Sequence, residues 1–333
     1  MIERTLEKKL KEIFHSKNPA PGFSILIEKN NCRVFDFSIG VHSKEKPQKV
    51  TSDTIYDLAS ITKIYTTAII LQLWQNKKID IFSPCSKYMD TYRNSTLKII
   101  DLLTQKANFD IRLSYYRENY PNDFHDVIFN LTPPNAVSQK VIYENITFLH
   151  LGKIIEIVTN KPLKDVFEEF FIEYNLSNTH LGLLDQTRFE SPTTELINEN
   201  IISSITHDES SRLLGGIAGN AGVFASANDL LKFGSLWINN QILSHDFSNE
   251  FVFKNYDISD KAPQALGWWM RMPNENNLPK NTYSHTGFTG CLLVVNSITK
   301  LVIVLVTNRT YYGRNNQNHK LIWNELIKFS KSL

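Results

Sequence analysis

Residues 290–308 read GCLLVVNSITKLVIVLVTN, two apolar runs that flank the tetrapeptide Ser297-Ile298-Thr299-Lys300. Apolar runs of this length, separated by a few polar residues, are typical of a β-hairpin. Near the other end of the chain, GFSILIEKN at 22–30 and RVFDFSIGV at 33–41 have the same character and predict a second hairpin with its turn at 29–31. Strands are therefore expected near both ends of the sequence.

Helical spacing replaces the strand pattern from residue 60 to about 205, where apolar residues recur three and four positions apart. A mostly helical subdomain of residues 58–205 is therefore expected to be inserted into an α/β subdomain of residues 1–57 and 206–333. The fold class is α/β (α+β), with one antiparallel sheet flanked by helices. Further helices are predicted at 2–14, 227–239 and about 315–331, and further strands at 266–272 and 283–287.

The composition argues against nucleic-acid and membrane partners. The chain has 333 residues, with 36 Lys and Arg against 34 Asp and Glu, a net charge of +2 and no long run of one sign. Its first residues, MIERTLEKKLKEIF, lack the apolar stretch of a signal peptide, and no apolar segment reaches a membrane span, so a soluble, cytoplasmic protein is expected. The three cysteines, Cys32, Cys85 and Cys291, are far apart and form no CxxC, which argues against a disulfide framework or a zinc site.

A serine three residues before a lysine is a known nucleophile arrangement, and the chain contains it four times. Three copies, at Ser43, Ser95 and Ser297, lie in predicted connections where the lysine would face solvent. Ser60 instead begins a helix whose next fifteen residues carry one charge, that of Lys63. Positions i and i+3 share a helix face, so the Lys63 amine would lie beside the Ser60 hydroxyl, and burial would lower its pKa and let it act as a base. The alternative is that Ser60 only caps the helix and Lys63 reaches the surface.

Two further segments hold candidate site residues. Tyr143 and Asn145 precede a predicted helix, where Tyr143 would carry a proton to a leaving group and Asn145 would hold a substrate carbonyl or fix Lys63. His285-Thr286-Gly287 lies on or near a strand, and its glycine would let a substrate approach the backbone as an added strand. Structural alternatives stay open: an N-cap and a packing aromatic in the first segment, and a sheet bend with a surface histidine in the second.

In chain order these segments are S-x-x-K, Y-x-N and H-T-G, which are variants of the signature of penicillin-recognising serine enzymes. The same likeness extends over PGFSILIEKNNCRVFDFSIG, TIYDLASITK, YENITFLHLGKIIEIVTNKPL, LLGGIAGNAGVFASANDLLKF and HTGFTGCLLVVN…LVIVLVTNR. The sequence resembles the class C β-lactamase-like and penicillin-binding-protein-like serine hydrolases, a family that includes D,D-peptidases, D-aminopeptidases and esterases. The resemblance covers most of the chain and implies the DD-peptidase/β-lactamase-like fold, one catalytic unit with its site between an α/β domain and an all-α domain.

The resemblance also implies a role for each candidate residue. Ser60 would be the nucleophile that forms an acyl-enzyme, Lys63 its base, and Tyr143 the group that activates water and protonates the leaving group. Asn145 would contact the acyl-side amide of the substrate, and the backbone N–H groups of Ser60 and Phe288 would form the oxyanion hole. The remaining substrate-binding residues would be His285, Thr286 and Gly287. No metal or organic cofactor is implied.

Three departures from the family pattern bear on the substrate. His285 stands where relatives usually carry a lysine, so a permanent cation for a substrate carboxylate is missing, and Arg309 is the candidate to supply one. Glu144 lies inside Y-x-N, where it would repel anionic substrates and raise the pKa of Tyr143 if it pointed into the site. Residues 102–110, LLTQKANFD, differ from the LLTHTSGL that relatives often have, so the loop beside the cleft is altered.

The stretch THDESSRLLGGIAGNAG at 206–222 also lies near the expected site. Its acidic start, His207-Asp208-Glu209, is expected to be a solvated loop at the cleft edge. Its glycines, at 215, 216, 219 and 222, are expected to allow tight packing under the active site, since no Gly-Lys-Ser/Thr of a phosphate loop follows.

The leading hypothesis is a serine hydrolase that acts through a Ser60 acyl-enzyme on a small ester, amide or D-amino-acid peptide. Its partners would be small-molecule or peptide substrates rather than nucleic acid or a membrane, and the sequence leaves the oligomeric state open. One alternative is a protein that binds a penicillin or a cell-wall fragment with little turnover, which the altered loop and Glu144 would favour. A second alternative is an acyltransferase of the same family.

Overall fold

A computed structural model describes residues 2–197, 200–257, 263–270 and 281–333 of the chain. Within these residues the strands are β1 Gly22–Lys29, β2 Cys32–Gly40, β3 Tyr56–Asp57, β4 Thr179–Leu181, β5 Glu195–Ile197, β6 Asn200–Ile202, β7 Val223–Ala225, β8 Thr282–Thr286, β9 Leu292–Asn296 and β10 Leu301–Thr307. The helices are α1 Ile2–Lys17, α2 Thr62–Gln75, α3 Ile99–Leu103, α4 Leu113–Asn119, α5 Phe124–Phe129, α6 Asn145–Thr159, α7 Leu163–Glu173, α8 Glu209–Leu213, α9 Ala227–Ile238, α10 His245–Phe247 and α11 His319–Ser330.

A five-stranded antiparallel sheet takes its strands from both ends of the chain, as the sequence predicts. Its order is β2-β1-β10-β9-β8, and each neighbouring pair is antiparallel. Asn30 and Asn31 make the β1–β2 turn with φ angles of 51° and 60°, in the left-handed region that asparagine tolerates better than most residues. Residues 297–300 join β9 to β10, so the second copy of Ser-Ile-Thr-Lys is a hairpin connection.

Strand β10 separates two apolar cores. Leu301, Ile303 and Leu305 face a cluster that the terminal helices α1 and α11 cover. The valines at 302, 304 and 306 face a second cluster, which α2, α9 and other helices from the middle of the chain fill. Successive side chains of a strand point to opposite faces, so the unbroken apolar run LVIVLV suits a strand that is buried on both. The predicted antiparallel sheet flanked by helices is confirmed.

The segment that carries Ser60 lies between the sheet and the helices. The short strand β3 pairs with β7, which also pairs with β4, in a second sheet of three strands. From the end of β3 the chain passes through the 3₁₀ turn Ala59–Ile61 into α2, a helix that is buried along most of its length. Ser60 therefore lies just before the buried helix. The division of the chain into an α/β subdomain of residues 1–57 and 206–333 and a helical subdomain of residues 58–205 stays a prediction.

Some of the other sequence predictions are only partly covered. Of the predicted strand 266–272, Trp269 forms isolated bridges to Gln264 and Ser284, whereas 271–272 lie outside the described residues. The cysteines form no disulfide in the described chain: Cys85 and Cys291 are buried and Cys32 is exposed. No helix in the described ranges combines the length and the apolar character that crossing a membrane requires.

Candidate active site

A buried carboxylate holds the turn that carries Ser60. Ala59 has a φ angle of 47°, a left-handed conformation that is strained for a residue other than glycine. Its backbone N–H donates to Asp57 Oδ1 at 2.7 Å, and the second oxygen of this carboxylate accepts the N–H of His207 at 2.6 Å. These bonds stabilise the strained turn, which leaves Ser60 partly exposed while Asp57 is buried.

The Lys63 amine lies at the centre of the candidate site. Lys63 is 0% exposed, so it does not reach the surface. Its Nζ donates hydrogen bonds to Ser60 Oγ at 3.0 Å, to Asn145 Oδ1 at 2.9 Å and to the backbone carbonyl oxygen of Asn220 at 3.2 Å. A nitrogen within hydrogen-bond reach of the serine oxygen has the geometry that a general base needs.

Close packing of glycines brings one of these acceptors to Lys63. A Cβ added to Gly219 would lie 2.3 Å from the carbonyl oxygen of Phe148 in α6, and one added to Gly152 would lie 3.0 Å from Gly219 N. Only glycine permits so close an approach of the two backbones. The approach carries the next residue, Asn220, to the amine, so the tight packing expected of the glycine cluster is present beside the site.

Aromatic rings form a wall beside Lys63. The Tyr143 ring centroid lies 4.9 Å from Lys63 Nζ and 6.1 Å from the centroid of the His285 ring. Trp269 stacks on His285 with the centroids 4.9 Å apart, and it contacts Tyr143 edge-on at 5.8 Å. Tyr143 remains 45% exposed, so this wall is open to solvent on the tyrosine side. The structure thus brings together Ser60, Lys63, Tyr143, Asn145 and His285 from three separate segments.

His285 is neutral in the folded chain. It is 1% exposed rather than on the surface, and burial, helped by the nearby charge of Lys63, lowers the pKa of His285 to about 3. Its Nδ1 lies 3.0 Å from the carbonyl oxygen of Thr286, so in the neutral ring Nδ1 carries the proton and donates it, which leaves Nε2 as an acceptor. A neutral imidazole cannot hold a substrate carboxylate by charge, as a lysine would.

The H-T-G strand end runs against the turn that holds the serine. A Cβ added to Gly287 would lie 2.3 Å from the carbonyl oxygen of Leu58. Two residues later, Thr289 Oγ1 donates to the backbone carbonyl oxygen of Asp57 at 2.8 Å. The residue between these contacts, Phe288, is therefore held close to the backbone that leads into Ser60.

Two backbone donors remain available at this junction. Within the described ranges, the N–H groups of Ser60 and Phe288 donate to no protein acceptor. Unpaired N–H groups on two neighbouring segments are what an oxyanion hole requires, because they can bind the negative oxygen that develops as a carbonyl is attacked. The positions are those that the resemblance implies.

Comparison with known proteins decides the family. Residues 3–326 match the family model described as Beta-lactamase. The chain belongs to the beta-lactamase family. The resemblance drawn from the S-x-x-K, Y-x-N and H-T-G segments is thereby confirmed, and the chain is assigned to a family of β-lactamase-related hydrolases.

Relatives and solved structures agree with this assignment. A protein of Salmonella typhi, provisionally named a D-alanyl-D-alanine carboxypeptidase, is 26% identical over 348 residues, which cover 87% of this chain and 79% of the relative. A structure described as a beta-lactamase/D-alanine carboxypeptidase from Pseudomonas syringae gives a TM-score of 0.75 at 18% identity and covers 98% of each chain. EstCE1, described as a hydrolase with promiscuous acyltransferase activity, gives a TM-score of 0.75 at 16% identity over 98% of this chain and 99% of its own. The fold is the β-lactamase/DD-peptidase fold.

The role of Arg309 as a substrate cation in this beta-lactamase family member stays a prediction, although much of its side chain binds the backbone. Arg309 is 4% exposed, and its Nε donates to the carbonyl oxygen of Phe288 at 2.7 Å. Its Nη1 donates to the carbonyl oxygens of Arg314 and Asn316, both at 2.8 Å, and its guanidinium carbon lies 4.5 Å from the centroid of the Phe288 ring. Nε and Nη1 thus bind backbone carbonyl oxygens, whereas Nη2 has no acceptor within the described residues, and the bond to Phe288 holds the residue that bears one of the unpaired N–H groups.

Glu144 does not point into the site either. Its carboxylate accepts the backbone N–H groups of Phe109 at 3.1 Å and Asp110 at 3.2 Å. Gln105 Oε1 in turn accepts the N–H of Glu144 at 2.9 Å and the hydroxyl of Thr147 at 3.1 Å. Hydrogen bonds in both directions therefore join Glu144, inside Y-x-N, to the unusual loop 105–110, and they hold the Tyr143 segment against this loop.

The prediction of a solvated loop at 207–209 is wrong for His207, which is buried. His207 is 3% exposed, and its ring stacks on Phe288 with the centroids 5.4 Å apart and the planes at 26°. The neighbouring carboxylate of Asp208 accepts Nδ2 of Asn145 at 3.3 Å. This stretch is part of the candidate site. The backbone and ring of His207 contact Asp57 and Phe288, and the carboxylate of Asp208 contacts Asn145.

Asp57, Asp208 and Trp269 are thus site residues that the sequence motifs did not include. Asp57 had a signal, since a lone acid inside the apolar stretch TIYDLAS must find hydrogen-bond partners if it is buried. No sequence pattern marked Asp208 and Trp269 as site residues, because their partners come from segments that lie far away in the sequence.

Proposed function

We propose that the chain is a serine hydrolase that works through an acyl-enzyme on Ser60 and takes a small ester, amide or D-amino-acid peptide. The observation that carries the proposal is the hydrogen bond of 3.0 Å between Lys63 Nζ and Ser60 Oγ, beside two unpaired backbone N–H groups. A serine hydroxyl is a weak nucleophile until a neighbouring base removes its proton. The contact supplies that base, and the N–H groups supply the charge stabilisation.

Acylation begins when Ser60 Oγ attacks the substrate carbonyl carbon. The Ser60 proton passes to Lys63 Nζ, which must be uncharged at that moment, while the carbonyl oxygen becomes an oxyanion that accepts from the N–H groups of Ser60 and Phe288. The bond to the leaving group then breaks. The leaving group takes its proton from the Tyr143 hydroxyl, which regains one from Lys63.

Deacylation repeats the sequence with water. As Tyr143 passes its hydroxyl proton to the uncharged Lys63 Nζ, its oxygen removes a proton from the water that attacks the ester carbonyl carbon, and the oxyanion forms again at the same two N–H groups. The bond to Ser60 Oγ breaks, and the proton returns to that oxygen through Tyr143 and Lys63. The acid product leaves, and the free enzyme is restored.

The walls of the cleft support a neutral acyl or leaving group rather than a carboxylate next to the scissile bond. His285 is uncharged, and Nε and Nη1 of Arg309 bind backbone carbonyl oxygens. Two aromatic side chains are instead exposed, Tyr143 at 45% and Phe288 at 47%. Apolar surface of this kind favours apolar groups of a substrate. An ester, an amide or a peptide with a free amino end therefore suits the site better than a peptide held by its terminal carboxylate.

An acyltransferase is the second candidate. It shares the acyl-enzyme with the hydrolase and differs only in the nucleophile that removes the acyl group. Support comes from EstCE1, a structure of the same fold that is described as a hydrolase with promiscuous acyltransferase activity. One of the two arguments for a binding protein with little turnover, a Glu144 side chain in the cleft, has no support, because the Glu144 carboxylate binds the N–H groups of loop 105–110.

The test is a substrate panel with a matched control from the chain itself. Wild type, Ser60→Ala and Ser297→Ala would be assayed on p-nitrophenyl acetate and butyrate and on an N-acyl-D-alanyl-D-alanine, with and without an added alcohol. We expect ester turnover in wild type and Ser297→Ala but not in Ser60→Ala, and new ester with the alcohol only if acyl transfer occurs. Full activity of Ser60→Ala would refute the mechanism, and a preference for N-acyl-D-alanyl-D-alanine would contradict a site that disfavours a terminal carboxylate.

A further inference from the structure

We propose that Asp208 is a positioning residue that fixes both acceptors which, together with Ser60, surround the Lys63 amine. The inference rests on the proposed function, because it concerns the base of that reaction. Asp208 Oδ2 accepts Nδ2 of Asn145 at 3.3 Å. Its Oδ1 accepts Nδ2 of Asn220 at 3.3 Å. One carboxylate therefore holds the side chains of the two residues whose oxygens bind Lys63.

The carboxylate decides which end of the Asn145 amide faces the lysine. An asparagine side chain has an oxygen that accepts and an NH₂ group that donates, and rotation by half a turn exchanges them. An ionised carboxylate only accepts, so it binds the NH₂ end of Asn145 and leaves Oδ1 directed at Lys63 Nζ at 2.9 Å. With the amide reversed, its NH₂ group would face the lysine amine, and two donors would oppose each other.

The same carboxylate restrains the segment that offers the third acceptor. The Asn220 backbone oxygen binds Lys63 at 3.2 Å, while the Asn220 side chain is buried and anchored on Asp208 by Nδ2. Within the described residues, Asn220 Oδ1 has no hydrogen-bond partner, so the bond to Asp208 is what holds this side chain. Loss of the bond would free the peptide that carries the carbonyl.

Asp208 is itself held rigidly. Its Oδ1 accepts the N–H of Ser211 at 2.7 Å, which makes it the N-cap of α8. The preceding residue, His207, donates its backbone N–H to Asp57, the residue that fixes the turn of the nucleophile. A positioning group works only if its own place is determined by surrounding bonds, and these two bonds on either side determine it.

The test separates positioning from capping. Asparagine caps helices as well as aspartate does, so Asp208→Asn keeps the bond to Ser211 through its oxygen, and its new NH₂ group then replaces Oδ2 and faces the NH₂ group of Asn145. Small displacements of catalytic groups lower rates by up to about 100-fold, and we expect the rate of Ser60 labelling by a fluorophosphonate to fall by about 10- to 100-fold. The matched control is Ser226→Ala, which removes the N-cap of α9. It should lower the melting temperature without changing the labelling rate.

A double-mutant cycle measures the coupling between Asp208 and Asn145 in the labelling rate. A purely structural role of Asp208 would not produce such coupling. If Asp208 acts through Asn145, then Asp208→Asn should slow labelling much less in an Asn145→Ala background than in wild type. Multiplied losses in the double variant, or a wild-type rate in Asp208→Asn, would overturn the inference while leaving the hydrolase intact. Wild-type protein that does not label on Ser60 would overturn both.

Discussion

Lys63 Nζ and Ser60 Oγ lie 3.0 Å apart, although the lysine is fully buried and the serine is reached by solvent. The pair thus joins the interior of the protein to its cleft. The buried end is enclosed by uncharged acceptors, and the backbone that leads to the exposed end packs against Gly287 of the H-T-G segment. Four predictions follow from the surroundings of this pair.

Removal of the base should abolish most of the turnover. Lys63→Met keeps a long, flexible side chain but no proton acceptor, and general-base catalysis contributes about 10²- to 10⁴-fold, so kcat/KM for an ester should fall by that factor. Lys300→Met in the second copy of the tetrapeptide is the matched control, because that residue lies in the hairpin connection after β9. Equal losses in both variants, or none in Lys63→Met, would show that Lys63 is not the base.

Removal of the phenol should lower kcat more than it changes KM. Tyr143→Phe keeps the ring contacts with Trp269 and His285 and loses only the hydroxyl that we propose transfers protons. We expect kcat to fall by about 10²- to 10⁴-fold. Tyr115→Phe, on an exposed ring of α4, is the control and should retain full activity. If KM rises and kcat stays unchanged, the Tyr143 hydroxyl binds substrate and does not transfer protons.

Arg309→Met should destabilise the fold and affect all substrates alike. The substitution removes the hydrogen bonds to the carbonyl oxygens of Phe288, Arg314 and Asn316, and a hydrogen bond from a charged donor contributes about 1.5–3 kcal/mol to the free energy of unfolding. Because Nε and Nη1 of Arg309 bind the backbone, we expect kcat/KM to fall by the same factor for neutral and anionic esters. A loss confined to the anionic ester would identify Arg309 as a substrate-binding cation.

Buried histidines should make the fold sensitive to acid. Burial lowers the pKa of His150 to about 4 and those of His285 and His319 to about 3. Histidine in an unfolded chain has a pKa of about 6.5, so below that pH the unfolded chain binds more protons and the free energy of unfolding falls as pH falls. Asp57 opposes the trend, because burial raises its pKa to about 6 and the folded chain then takes up its proton first.

Across the described chain, six histidines have a lowered pKa and four carboxyl groups, Asp57 among them, have a raised one, so the melting temperature should decrease between pH 7 and pH 4.5. His150→Gln should make the decrease shallower, because one group that must protonate on unfolding is gone. His245→Gln is the control, since the side chain of His245 is 70% exposed in the folded chain. A melting temperature that is constant or increases on acidification would contradict the burial of neutral imidazoles.

The sequence predicted the elements of the fold better than it predicted the surroundings of the site. The strand pattern of LVIVLV and the buried helix after Ser60 follow from local apolar periodicity, and the structure has both. The contacts of Arg309 with the backbone could not be predicted, because a position at the end of a strand does not reveal which way a long side chain turns. It turned to the carbonyl oxygens of its own neighbourhood.

Glu144 illustrates a second limit. Read alone inside Y-x-N, it suggests repulsion of anionic substrates, and the loop QKANFD suggests an altered cleft. Only the tertiary structure shows that the two departures belong together, since the acid binds the N–H groups of that loop. Compensation between segments some thirty-five residues apart has no local signal in one sequence.

The most direct test of the central claim is the intact mass of the protein after treatment with a fluorophosphonate, followed by peptide mapping. The serine next to Lys63 should carry one adduct in wild type and in Ser297→Ala, and Ser60→Ala should carry none. Lys63→Met should label far more slowly than wild type while it keeps its fold. An adduct on another residue, or unchanged labelling of Ser60→Ala, would contradict the assignment of Ser60 as the nucleophile.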